Sequence, residues 1–168
     1  MEESRPASRG DLERVEALAR EMRGELGPMR GGDLWRERDA WPEPLAVTYA
    51  ALLERDDALL VVGTIDGVVL GFGAVVVEEL RDGRRLGVIT DLYVELLARE
   101  VGVGDSMAAD LLEFCRARGC LGVDATALPG HRATKNFFEA HGFAARALTM
   151  HHSFGLGSAD DTPPNDGA

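Results

Sequence analysis

Apolar residues recur at helical spacing from Leu12 to Leu26, at Leu12, Val15, Leu18, Ala19, Met22 and Leu26. That period predicts an amphipathic helix. Ser8 with Asp11 three residues on reads as its capping box, and Gly27-Pro28 as its end. A short strand, Ser4 to Ala7, precedes it. Met29 to Arg38 reads as a glycine-bearing loop holding Trp35, and Pro42 to Arg55 as a second helix burying Leu45, Tyr49, Leu52 and Leu53. The pattern then changes to strands. Ala58 to Ile65 and Val68 to Leu80 flank Asp66-Gly67, a hairpin turn signal. Gly71 and Gly73 in the return strand predict a bulge or a close neighbour. After Arg81-Asp82-Gly83-Arg84, a third strand runs from Leu86 to Val94. A helix from Asp105 to Arg118 buries Met107, Leu111, Phe114 and Cys115 and stops at Gly119. Cys120 to Thr126 is a strand, parallel to the preceding one through a right-handed crossover. His131 to His141 is a helix ended by Gly142, and Ala145 to Phe154 a last strand. The sum is an α/β chain with a mixed sheet, a single domain over residues 1–154 and a disordered tail over 155–168, where Asp, Pro and Gly prevail.

The 168 residues suffice for one core. No apolar run approaches the ~20 residues of a membrane span, and Met1-Glu2-Glu3-Ser4-Arg5 is not a signal peptide, so a cytoplasmic protein without a membrane partner is expected. A net charge of −11 argues against nucleic acid and is compatible with a cationic substrate such as an amine. Cys115 and Cys120 lack companions for a disulfide scaffold or a metal site, and no histidine pair has metal-ligand spacing; no metal is expected.

The chemistry concentrates at Arg99-Glu100-Val101-Gly102-Val103-Gly104, between a strand and a helix. The first N–H groups of a helix have no partner within it and favour an anion. Glycines at 102 and 104 let a ligand lie directly on the backbone. A mononucleotide loop needs Lys-Ser/Thr after its last glycine, where this chain has Asp105-Ser106; a dinucleotide loop needs a third glycine, where it has Met107.

The loop instead matches R/Q-x-x-G-x-G/A, the acetyl-CoA loop of the GNAT N-acetyltransferase superfamily. Arg5-Pro6-Ala7-Ser8-Arg9-Gly10-Asp11-Leu12 resembles that family's start. Ile89-Thr90-Asp91-Leu92-Tyr93-Val94 resembles its fourth strand. Asn136-Phe137-Phe138-Glu139-Ala140-His141-Gly142-Phe143 resembles its "FYEKLGF" helix end. The resemblance covers residues 3 to 154 and implies a mostly antiparallel sheet with a splayed parallel strand pair flanked by helices. It implies acetyl-CoA as cosubstrate, and acetyl transfer to a primary amine, on a small molecule or a peptide, by direct attack. Leu92, Tyr93 and Val94 would offer backbone groups to pantetheine. Backbone N–H groups from Val101 through Gly102, Val103, Gly104 and Asp105 to Ser106, with Arg99 and Glu100 opening the loop, would hold pyrophosphate. Asn136 and Phe138 would flank the sulfur. The Val94 N–H would polarise the thioester carbonyl, and Asp91 is the candidate base.

The chain departs from the family pattern at several points. Phe138 stands where a proton-donating tyrosine is frequent, Thr90 where an acid is common, and Glu100 and Asp105 place two acids beside a pyrophosphate. His151 or His152 could replace the tyrosine as donor; His131 and His141 sit at helix ends. After Gly142 the chain is too short for two full strands. An alternative reading follows from Phe138 and Thr90: a non-catalytic acyl-CoA-binding module. A homodimer is the default assembly.

Overall fold

The structure, a computed structural model, describes residues 1–156. Strand β1 (Glu2–Pro6) leads to helix α1 (Leu12–Leu26), the short α2 (Gly32–Leu34) and α3 (Leu45–Leu53). Strands β2 (Ala58–Ile65), β3 (Val68–Glu79) and β4 (Arg85–Val94) follow. Helix α4 (Val103–Ala117), strand β5 (Cys120–Ala125) and helix α5 (Arg132–Ala140) complete it. The sheet order is β1-β2-β3-β4-β5, antiparallel as far as β4 and parallel between β4 and β5. This is the mixed, mostly antiparallel sheet that the sequence predicts.

The cap of α1 forms around Asp11, whose carboxylate accepts from the Ser8 N–H at 2.8 Å and from both arms of Arg5 at 2.8 and 2.9 Å. The Arg5 guanidinium holds this carboxyl well below the usual range. The sheet carries a core on each face. Val15, Leu18, Met22, Leu45, Tyr49, Leu52, Val62 and Phe72 fill one side, under α1 and α3. Val61, Val75, Ile89, Val103, Met107, Leu111 and Phe138 fill the other, under α4 and α5. The strand glycines mark where α4 lies nearly on the sheet: a Cβ at Gly71 would stand 2.9 Å from Met107 Cε, and one at Gly87 2.4 Å from Cys115 Sγ. The ladder also shifts near Gly71, where Gly63 pairs with Gly71 and Thr64 with Val69. Cys115 is a core thiol, pushed up to about 12 by burial.

Two expectations change. Gly32 to Asp39 is helical, a turn of α-helix running into a wider π-type turn, because Trp35 is buried against the α1 side of the core and winds the backbone around it. The strand expected over Ala145 to Phe154 is absent: residues 143–154 form no ladder, and nearly every side chain after Phe143 is exposed. Alternation alone does not make a strand without an edge to bond. The proposed tail lies outside the described residues from 157 onward. Among the described residues, no helix is long and apolar enough to cross a membrane.

Candidate active site

The site begins with an irregularity in β4. Ala74 pairs with Asp91 but Val75 pairs with Ile89, so Thr90 is an extra residue. A bulge breaks the alternation of a strand. Ile89 and Leu92 remain in the core under α4, while Thr90 and Asp91 both turn to the opposite face. There the Trp41 indole donates to Thr90 Oγ1 at 3.0 Å, Thr90 Oγ1 donates to Asp91 Oδ2 at 2.9 Å, and the Tyr49 hydroxyl donates to Asp91 Oδ1 at 2.9 Å. Asp91 is 4 % exposed. Burial pushes its carboxyl up to about 6, against the opposing effect of the Thr90 and Tyr49 hydrogen bonds and the positive field of Arg23. Burial and then the Asp91 charge raise the Tyr49 phenol, which stays a donor. Asp91, the candidate base, is therefore a buried carboxyl bonded to Thr90 and Tyr49 and raised above its ordinary value by burial.

Beyond the bulge the sheet opens. The β4–β5 ladder ends at Ile89↔Ala125. The Glu95 N–H donates to Leu70 O at 2.9 Å. In an antiparallel pair, bonded and non-bonded residue pairs alternate. With Phe72 opposite Tyr93 and Gly71 opposite Val94, the main-chain groups of Tyr93 belong to the β3 ladder. Those of Leu92 and Val94 face the opening toward β5. Tyr93 instead lays its ring 5.3 Å from the Arg99 guanidinium.

The glycine loop ends this opening. Glu100 at φ 68° and Gly102 at φ 93° are both left-handed, and they curl the chain into α4. The Ser106 N–H bonds Gly102 O at 3.1 Å, so the free N–H groups of the first turn are those of Val103, Gly104 and Asp105. A Cβ built on Gly102 meets nothing nearer than Glu2 Cγ at 3.8 Å, whereas one on Gly104 comes within 3.2 Å of the Phe137 ring. Gly102 thus keeps a space beside the helix terminus that a side chain would fill. Arg99 is turned away from that terminus. It donates to Glu25 at 2.9 and 2.6 Å and to Val94 O at 2.9 Å, which fastens the loop to α1 and to the end of β4. Glu100 and Asp105 both point to solvent. Asp105 is drawn aside by His141, its Oδ1 3.0 Å from Nε2.

Phe138 is 8 % exposed and packs on Phe143, with ring centres 5.0 Å apart. Asn136 is exposed on α5. His151 and His152 lie on the exposed segment after Phe143, not in the apolar cluster around Phe138. On the α1 side, a cavity of about 580 Å³ is lined by Arg23, Arg36, Arg38, Trp41, Glu37 and Glu43, among others. Three arginines against two glutamates show that the acidity of the whole chain does not extend into this cavity. Trp41, Tyr49 and Glu25 escape sequence reasoning as site residues. Their one signal is a polar tip on an otherwise apolar side chain, or a charge on the border of a helix's buried face. Among the described residues, no cluster of His, Cys, Asp and Glu could hold a metal ion.

The sequence model of the acetyltransferase (GNAT) family matches residues 16–143. Solved structures share the fold. The BH1408 protein from Bacillus halodurans, as a tetramutant, superposes with a TM-score of 0.76 at 17 % identity, covering 89 % of this chain and 98 % of that one. AAC(6')-Iy, in complex with the bisubstrate analog CoA-S-monomethyl-acetylneamine, gives 0.71 at 17 %, covering 91 % and 97 %. Glucosamine-6-phosphate N-acetyltransferase from Arabidopsis thaliana gives 0.66 at 20 %, covering 92 % and 99 %. Among curated proteins, none matches the chain in sequence.

Proposed function

Because the chain belongs to the acetyltransferase (GNAT) family, we propose that it transfers the acetyl group of acetyl-CoA to a primary amine by direct attack. The observation that carries this reading is the opening between β4 and β5, lined by the main chain of Leu92 and Val94 and closed by the free N–H groups of α4. An extended amide chain is held by strand-edge hydrogen bonds and a pyrophosphate by a helix N-terminus. The residues present fit such a ligand: Gly102 leaves the terminus clear, and Arg99 holds the loop in place.

Bound acetyl-CoA supplies the activated acyl group, which the free amine attacks with release of the thiol. The Val94 N–H faces the opening and stabilises charge developing on the carbonyl oxygen. The amine approaches Thr90 from the side of Trp41. Thr90 Oγ1 takes the proton of the attacking amine, directly or through one water, as it passes its own to Asp91. Tyr49 fixes the carboxylate that receives it. The test is thiol release from acetyl-CoA across a panel of amines. Turnover with at least one amine class is expected. CoA binding with no turnover on any amine would favour a binding module.

Phe138 supplies a second test, since it has no proton for the leaving thiolate. A thiol of reference pKa ~8.5 departs tolerably without one, while general acid help contributes ~10²–10⁴-fold. Phe138→Tyr is expected to raise kcat about tenfold or more with KM little changed. An unaltered kcat in a folded variant would show that no donor is needed there, or that it stands elsewhere.

A further inference from the structure

The cavity on the α1 side carries an unbalanced positive charge. Both of its glutamates are neutralised. Glu37 accepts from Arg36 Nε at 3.2 Å. Glu43 accepts from Arg20 Nη1 at 2.8 Å and from the Leu45 N–H at 3.0 Å, and Arg20 stands outside the lining. Arg36 is thus matched by Glu37, while Arg23 and Arg38 are left over. Arg38 is exposed, with Nε 3.8 Å from Asp39 Oδ1, too far for a hydrogen bond. Arg23 is partly buried. One of its amino groups donates to Trp41 O, a neutral acceptor. Its Nε is buried without a hydrogen-bond partner, and no carboxylate among the described residues pairs with it. A buried donor without an acceptor costs stability, and a cation drawn out of water is ordinarily paired.

We infer that Arg23 receives an oxyanion, carboxylate or phosphate, carried by the acceptor, so that the acceptors of this protein are amines bearing a negative group. The inference rests on the acetyl-transfer reading and names its substrate class. The paired N–H groups of a guanidinium match two oxygens of either anion. Trp41 joins the two ends of the acceptor. Its carbonyl holds Arg23, and its indole donates to Thr90 Oγ1 at 3.0 Å, so one residue touches both the arginine and the Thr90–Asp91 pair. An acceptor with its nitrogen at Thr90 and its anion at Arg23 lies along Trp41. Its two charged groups are separated by little more than the span of that residue, which makes the acceptor small. Arg38 adds a second, solvent-exposed positive charge to the same lining. A diamine would instead bring a second cation against Arg23, and like charges in contact are repulsive. The net charge of −11 draws cations toward the chain as a whole. That field is screened beyond ~8 Å at physiological ionic strength, and the contact with Arg23 decides the ligand.

Rates of thiol release with matched amines test it. β-Alanine and γ-aminobutyrate are set against their amides, which keep the shape and lose the charge. Phosphoethanolamine is set against ethanolamine, and putrescine represents the cations. For at least one acid, kcat/KM is expected to exceed that of its uncharged partner by about tenfold or more. The two anion arms distinguish carboxylate from phosphate. Arg23→Gln is expected to bring the ratio close to one while CoA still raises the melting temperature. The ratio cancels what the substitution does to Asp91, which acts on both members of a pair alike. Uncharged or cationic amines used as well as the acids, or a ratio that survives Arg23→Gln, overturn the inference and leave acetyl transfer standing. Calorimetry with CoA present covers the case in which no amine is turned over. Binding of β-alanine or phosphoethanolamine that Arg23→Gln removes then keeps the anion site while the catalytic reading falls; no binding of any acid overturns the inference. Should Arg23→Gln fail to fold, the wild-type ratios decide the matter.

Discussion

Gly102→Asp abolishes the stabilisation that CoA gives this protein. A ligand that binds only the folded state adds ~2.7 kcal/mol at a hundredfold excess over its dissociation constant, so wild-type protein melts several degrees higher with CoA. Two effects remove that gain in the variant. Gly102 sits at φ 93°, where an L side chain costs ~1–2 kcal/mol, and this lowers the melting temperature with or without ligand. The second effect acts on binding alone. The side chain enters the space beside the free N–H groups of α4, and a carboxylate ~4 Å from a phosphate opposes it by about 4 kcal/mol at an effective dielectric constant of 20. That exceeds a hundredfold loss of affinity. Gly102→Ala separates the two, carrying the backbone cost without the charge, and is expected to keep a measurable CoA shift. A folded Gly102→Asp protein with the wild-type CoA shift would place the pyrophosphate elsewhere.

The loop was legible because its determinants are local. A strand, two glycines two residues apart and a helix start are contiguous, and the backbone there follows from φ > 0 and free N–H groups. The strands β2, β3 and β4 were legible for the same reason, each bounded by a turn with Gly67 or Gly83 at positive φ. What the sequence hides is set by contacts between distant residues. Thr90 reads as one more residue of an alternating strand; only pairing with β3 reveals it as the extra residue that turns it and Asp91 to one face. Tyr49 reads as core, and its hydroxyl finds a carboxylate forty-two residues away. Arg99 reads as a phosphate contact, yet Glu25 on α1 claims its guanidinium. The helical turn at Gly32–Leu34 carries too few apolar residues to show a period, and the burial of Trp35 decides it. Residues 145–154 show the converse: the period of a strand is present, but a strand forms only where an edge meets it.

Asp91→Asn is expected to make the protein more stable and less active at neutral pH. The sign follows from linkage. Burial raises the Asp91 carboxyl to about 6, against ~3.9 in an unfolded chain. Between these values the folded protein holds more protons than the unfolded one, so its stability falls as pH rises from about 4 through about 6. Above that, a buried carboxylate persists at a cost of order 3 kcal/mol, taking 1.36 kcal/mol per unit. An asparagine removes the charge. Its Oδ1 still accepts from Tyr49, and its amide donates to Thr90 Oγ1, whose hydroxyl then turns to Ala74 O, 3.5 Å away. Denaturant unfolding of the variant should therefore show a gain of about 1–3 kcal/mol above pH 7, fading below pH 5, and a flatter pH dependence. The same change leaves Thr90 no carboxylate to receive its proton. Acetyl transfer should fall ~10²–10⁴-fold while the CoA-induced thermal shift is kept, and the wild-type limb that rises through about pH 6 should vanish. Thr90→Val, which breaks the relay and leaves Tyr49 bonded to Asp91, should lose activity as well. Should Asp91→Asn gain stability and also keep full activity, Asp91 is a structural anchor and the amine loses its proton to another group.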